Sequence, residues 1–260
     1  MIRDTRTATA LTSGPQRLTA CGLESDILGL AQMFLAYQPA PELLWRVAER
    51  SMITAQDSDD PHSRAVASWF MIEALRDAGD WDSAMDINLA AIDDAQRHVN
   101  GHDSLTAMVG ALHTVAALTC ARAGEEGRAW RHQDAAEQVM RRLVGYVHPR
   151  TWFSNEVVGF YALSINVELR KGAAAVRTAD RIDPAAIASR PRRARHLVEV
   201  ARAHHLRGDS QAALDAIAAA VDAAAETVRY NSYARNIVLE LREDSARRSA
   251  AGQLAAKIGL

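Results

Sequence analysis

Small residues recur at fixed offsets around a glycine turn, and this pattern restricts the chain to closely packed pairs of helices. It is plainest from Arg190 to Tyr230, RPRRARHLVEVARAHHLRGDSQAALDAIAAAVDAAAETVRY. Leu197, Val200, Ala201 and Leu206 fall at helical spacing in a first helix from about Arg192 to Arg207. Gly208-Asp209-Ser210 closes that helix, because Gly suits the left-handed position after a helix and Asp or Ser caps the next one. The second helix carries Ala213, Leu214, Ile217, Ala220 and Val221 on one face. Ala201, Ala213 and Ala220 have side chains small enough for the two axes to approach closely. The chain holds 5% aromatic and 48% hydrophobic residues, so its core must come from many small contacts rather than a few large ones.

The same logic recurs upstream. Leu23 to Tyr37 reads as a helix with Ile27, Leu28, Ala31, Phe34 and Leu35 on one face. Gln38-Pro39-Ala40-Pro41 breaks it, and Glu42 to Ala55 follows as a second helix. Asp57 to Pro61 is a polar turn, read as a cap for the helix over Ser63 to Ala78, although such an acidic cluster could also hold a cation. Gly79-Asp80-Trp81-Asp82-Ser83-Ala84 repeats the later turn and leads into a helix ending near Asn100-Gly101. Asp103 or Ser104 caps a helix through Ala121, Gly124 turns the chain, and Ala129, Gln133 and Ala136 mark the partner helix to near Gly145.

Tyr146 to Ser154 is a longer connection. Helices are expected over Asn155 to Arg170 and Ala173 to Arg181, with Gly172 as the turn between them, then a short segment from Ala185 to Ser189 and a last strong helix from Arg229 to Glu243. Aligned on Gly79, Gly124, Gly172 and Gly208, the hairpins repeat every 45, 48 and 36 residues. The hairpin resembles a tetratricopeptide repeat, whose period is about 34. The resulting expectation is all-α: antiparallel helical hairpins stacked as a right-handed tetratricopeptide-like superhelix. Residues 1–19 are expected to be a flexible arm or a leftover linker, residues 20–244 the repeat domain, and residues 245–260 a tail or capping helix.

In such an array the first helix of each hairpin lines a concave face. Counting back from the turn glycines assigns to that face Trp69, Glu73 and Arg76; Thr114, Leu118 and Arg122; Ala162, Asn166 and Arg170; and Arg195, Val198, Arg202 and His205. This groove is polar and mostly basic. Asn166 could bond a peptide backbone, and the arginines could grip a carboxylate or phosphate. The same residues also suit a solvated helix face, which needs no ligand.

Other chemistry finds little support. The run Arg190, Arg192, Arg193, Arg195, His196 is basic, but a net charge of −2 and the absence of interleaved aromatics argue against direct nucleic-acid binding. His98 and His102 straddle a helix end, and His204 and His205 point to different sides of a helix, so no metal or cofactor is assigned. No glycine-rich phosphate loop or nucleophile elbow occurs, and Cys120 lies on a buried face. Cys21 and Cys120 are far apart in sequence, no apolar run nears the ~18 residues of a membrane span, and the N-terminus lacks the apolar core of a signal peptide. A soluble cytoplasmic protein is expected.

Leu163 to Leu241 resembles the C-terminal region of actinobacterial regulators that join a lambda-repressor-like helix-turn-helix domain to a tetratricopeptide-like array. The resemblance rests on Asp183-Pro184-Ala185, Arg190 to His196, Val200 to Ala203 before Gly208-Asp209, Ala212-Ala213-Leu214, and Thr227 to Tyr230 followed by Ala234-Arg235. Residues 1–19 cannot supply the DNA-binding domain of that family, so the chain is either a standalone sensor or adaptor, or a truncated regulator. The resemblance implies a regulatory module in transcription or signalling that binds a peptide, a partner protein or a small effector, and a homodimer. The competing expectations are DNA binding through the array and an enzyme of secondary metabolism.

Overall fold

The computed structural model describes residues 1–36, 38–187 and 189–260. Among them the regular structure is all helical: α1 (Ile2–Leu11), α2 (Gly14–Leu35), α3 (Pro41–Asp57), α4 (Pro61–Asp77), α5 (Trp81–His98), α6 (Asp103–Arg122), α7 (Glu126–Arg142), α8 (Asn155–Glu168), α9 (Gly172–Ala179), α10 (Arg190–Leu206), α11 (Ser210–Arg229), α12 (Ser232–Glu243) and α13 (Arg248–Ile258). A 3-10 turn spans Pro184–Ala186. The fold is a tetratricopeptide-like helical repeat. Tyr37, the expected end of the first helix, and Ala188, inside the expected short segment, lie outside the described residues.

The chain divides into two compact units, Met1–Val158 and Gly159–Leu260. In unit 1 the hairpins α2/α3, α4/α5 and α6/α7 pack in succession, with α1 folded back on α2. Residues 1–19, expected to be a flexible arm, are largely helical. Thr9 of α1 is buried against α2, and its carbonyl accepts from Arg17 Nη1 at 2.8 Å. In unit 2, Leu163 and Val167 of α8 pack on Ala175, Val176 and Ala179 of α9 and on Ala203 of α10. α10, α11, α12 and α13 enclose a second cluster around Ala213, Ile217, Val238 and Ile258. The segment expected as a tail or capping helix thus supplies Leu254 and Ile258 to that core.

The turns explain why hairpins form. At each one the second N–H past the helix bonds back across the last turn: Asp80 N to Leu75 O at 3.0 Å, Glu125 N to Cys120 O at 2.9 Å, Lys171 N to Asn166 O at 2.8 Å, and Asp209 N to His204 O at 3.0 Å. This is the Schellman closure, which needs a left-handed residue just before the donor. Gly79, Gly124 and Gly208 supply it with φ of 82°, 77° and 75°. At the third turn the left-handed residue is Arg170, with φ of 57°, and not Gly172. Gly172 instead opens α9, where a Cβ would lie 3.0 Å from Leu206 Cβ and 3.2 Å from its carbonyl carbon. The repeat therefore runs 79, 124, 170, 208. Arginine in the left-handed region carries a cost that glycine does not. Arg170→Gly is expected to raise the stability of unit 2 by about 0.5–1 kcal/mol in chemical denaturation, while a loss would mean that the Arg170 side chain outweighs its backbone.

Side-chain caps fix the helix starts. Asp60 accepts from His62 N at 3.2 Å and Ser63 N at 2.9 Å, so the acidic turn does cap α4. Asp80, Asp209 and Asn231 cap α5, α11 and α12. By length and composition α6 could cross a membrane, contrary to the sequence expectation, but 83% of that stretch is buried inside the protein, as befits a core helix.

Candidate functional site

Residues 143–154, the long connection after α7, form a strap across the first helices of all three hairpins of unit 1. The strap closes on itself through His148 N to Phe153 O at 3.1 Å and Trp152 N to His148 O at 2.8 Å. Arg150 Nη2 reaches Asp26 of α2 at 2.6 Å. His148 Nε2 stands 3.0 Å from His62 Nε2 of α4, and Ser104 Oγ of α6 stands 2.8 Å from the same His62 nitrogen. Phe153 is fully buried above Gly110 of α6. His62 shares a helical stripe with Trp69, Glu73 and Arg76, at steps of seven, four and three residues. Part of the face expected to hold a ligand is therefore occupied by the chain's own strap.

The hydrogen-bond pattern assigns the tautomers. A backbone N–H can only donate, and Thr151 N lies 3.1 Å from His148 Nδ1. That nitrogen keeps its lone pair, so the proton of neutral His148 sits on Nε2 and points to His62 Nε2. Burial, reinforced by the His62 and Arg150 charges, pushes the His148 pKa down to about 3. Burial also lowers that of His62, against the pull of Asp60 and Asp26. A metal on His148 Nε2 would require a proton on Nδ1, where a ligating histidine normally donates. The observed bond runs the other way. Ser104 and His62 are likewise no poised nucleophile and base, since the lone pair that would take the serine proton already faces the His148 N–H. Among the described residues no group of three or more His, Cys, Asp or Glu is placed to hold a metal ion.

Unit 2 stitches its first helices together with charge. Arg202 Nη1 of α10 lies 3.1 Å from Glu168 Oε1 of α8 and 3.0 Å from Glu199 Oε1, and the guanidinium sits 3.6 Å above the Tyr233 ring of α12. The three charged side chains are 12–14% exposed. Burial opposes the Arg202 charge, but Glu199 and Glu168 outweigh it and hold its pKa above the usual value. His205 Nε2 meets Glu240 Oε2 at 3.4 Å. The corrected turn explains how Glu168 comes to face Arg202. Moving the register from Gly172 to Arg170 rotates α8 by about 200°, replacing Ala162, Asn166 and Arg170 on the shared face with Phe160, Ser164 and Glu168.

The expected groove residues therefore separate. Asn166 is buried, donating to Ala162 O at 3.0 Å and Thr178 Oγ1 at 3.3 Å, and Arg170 is an exposed turn residue. Thr114 is buried with its hydroxyl on Ala111 O at 2.7 Å. Arg76 is buried and pairs with Glu73 at 3.0 Å. Trp69 is partly exposed and packs edge-to-face on Phe70, Arg122 is half-buried at the end of α6, and Arg195 is exposed. Among them only Glu73 and Arg76 pair directly with each other, while Arg202 and His205 each meet carboxylates outside the expected set, Glu168 and Glu199 for the first and Glu240 for the second. The basic run is structural as well. Arg190 donates to Ala223 O at 2.8 Å, beside the kink at Ala224 in α11, and Arg193 donates to Ile187 O at 2.8 Å.

Sequence reasoning missed His62, Ser104, His148, Phe153, Glu168 and Tyr233. One signal was readable: Gly110 in the middle of an alanine-rich helix weakens that helix unless something packs against it.

No protein-family model matches the sequence, and no curated protein matches it. Among solved structures the chain is similar to BtubC (BKLC) from P. vanneervenii, at 14% identity over 88% of this chain and 89% of that one, with a TM-score of 0.55. It also matches a chain of the APC/C hetero-tetramer Cut9–Hcn1, at 13% identity over 99% of this chain and 52% of that one, with a TM-score of 0.44. At these identities the first likeness concerns the fold alone.

Proposed function

We propose that the chain is a non-catalytic interaction module that takes a protein partner in a regulatory assembly of the cytoplasm. One observation carries the reading. Large apolar side chains stand in water on unit 1, with Leu23, Leu30 and Phe34 on α2 and Val147 and Trp152 on the strap between 38% and 65% exposed. Single exposed apolar residues need no explanation, whereas a set on adjoining elements marks a contact surface. Trp152 is held there with φ of 60°, a conformation that costs free energy in a bulky residue.

The unpaired, buried Cys21 and Cys120 accord with a reducing compartment. The resemblance of residues 163–241 to transcriptional regulators supports a regulatory role. An apolar protein surface is a better match than the carboxylate ligand suggested by the arginines, because Arg202 already has its carboxylates. The test places a photo-crosslinking residue at Val147, and separately at Val144 (86% exposed), in the cells of origin. A discrete adduct with another polypeptide, competed away by unlabelled protein, is the expected result. No adduct at either position, or adducts of the chain with itself alone, would remove the reading.

A further inference from the structure

Among the described residues no backbone–backbone hydrogen bond joins the strap to α2, α4 or α6. Its backbone bonds run within it or to its own flanks. Three side chains do the fastening: Arg150 on Asp26, Phe153 over Gly110, and His148 against His62. Trp152 is held at φ of 60°, a strain that lifting the strap would relieve. A segment fastened in this way can open while the hairpins beneath it stay folded.

The contact between His148 and His62 works only while His62 is neutral. Thr151 N donates to His148 Nδ1 at 3.1 Å, so His148 keeps its proton on Nε2. That N–H needs the lone pair of His62 Nε2, 3.0 Å away. A proton on this lone pair would set two N–H donors face to face, with no acceptor between them. Ser104 Oγ of α6, 2.8 Å from the same His62 nitrogen, can accept instead. Protonated His62 therefore changes partner from the strap to α6. His148 has no such exchange. Its remaining lone pair faces the Thr151 N–H, so this ring gains a proton only after the strap has lifted.

The charges that face the pair are Asp60 of α4, Asp26 of α2 and Arg150 of the strap, while α6 presents the hydroxyl of Ser104. Burial opposes a proton on His62 most strongly, the two carboxylates favour it, and Arg150 opposes it.

We propose that the strap is an acid-released latch: protonation of His62 breaks its contact with His148 and frees residues 147–153 from the face bounded by His62, Ser104 and Gly110, while the hairpins stay folded. The proposal does not depend on the partner reading above. Its sign follows from linkage. Above a pH of about 6.5 neither the closed nor the open strap carries the extra protons. Below it the open strap releases His148, which then titrates near its ordinary value instead of about 3. His148 alone makes opening about 25-fold more favourable at pH 5 than at pH 7, and His62 adds to this.

Hydrogen exchange read by mass spectrometry at pH 7 and pH 5, corrected for the pH dependence of unprotected amides, tests this on the whole chain. Residues 147–153 are expected to open at least about 25-fold more at pH 5, and to exchange well ahead of α6, which reports unfolding of unit 1. His62→Gln combined with His148→Gln keeps a donor and an acceptor at the contact without a titrating group, and should hold the strap at pH 5 as at pH 7. A strap whose corrected exchange ignores pH, a strap and α6 that open together at pH 5, or a double variant that closes at pH 7 and still opens in acid would each overturn the proposal. The first two outcomes need no substitution.

Discussion

Lowering the pH from 7 to 5 is expected to remove about 4 kcal/mol of folding stability. The loss comes from His148 and His196, both fully buried. Burial pushes the His148 pKa down to about 3 and that of His196 to about 4. In the unfolded chain both titrate near 6.5. Above that pH neither state is protonated and the stability is fully present. Below it the unfolded chain takes up protons that the native rings refuse, so stability falls continuously until the folded pKa values of 3–4 are reached. Each ring contributes about 1.4 kcal/mol per pH unit over that window, or about 2 kcal/mol by pH 5. His113, held near pKa 4 by burial and by His132, acts in the same direction. Urea midpoints at pH 7 and pH 5 measure the effect. His196 has no hydrogen-bond partner on either ring nitrogen, so His196→Leu should keep the fold and recover about 2 kcal/mol of the loss. A stability that is flat across this range would refute the neutral-histidine account.

Gly110→Ala is expected to destabilise unit 1 by about 3 kcal/mol or more. An added Cβ would lie 2.2 Å from Phe153 Cζ and 2.4 Å from Cε1. The ring is fully buried and cannot swing aside. Something must move, and the strap is the element without a helix to stiffen it. Lifting it would part His148 from His62 and Arg150 from Asp26. The expected sign opposes helix propensity, by which alanine in mid-helix is better than glycine by up to about 1 kcal/mol. Phe153→Ala alone should cost about 3–5 kcal/mol through the cavity it leaves. The two changes share one space, so the double variant should cost clearly less than their sum. Additive costs in denaturant midpoints would show that Gly110 and Phe153 do not act on each other.

The helices were legible because period and turn chemistry agree at most places. Gly79, Gly124 and Gly208 each sit where the Schellman closure needs a left-handed residue. The third turn misled because a glycine stands two residues beyond it, and an arginine in the left-handed region has no sequence signature. That slip turned α8 to the wrong side and hid Glu168. The remaining site residues were illegible for a different reason. Glu168 and Arg202 are 34 residues apart and His62 and His148 are 86 apart, so their meeting depends on packing that no local pattern encodes. Residues 1–19 were misjudged because α1 draws its stability from lying on α2 rather than from its own weak periodicity.

The strap also has a consequence for synthesis on the ribosome. Asp26 receives Arg150 only after 124 further residues have been made, which takes about 6–25 s at ordinary elongation rates. Until then the three hairpins of unit 1 can form in turn while the face bounded by His62, Ser104 and Gly110 stands open. Between synthesis of Gly110 and of Phe153, 43 residues or about 2–9 s, the nascent chain offers a site that the finished protein has closed, and a chaperone or a premature partner would find it there.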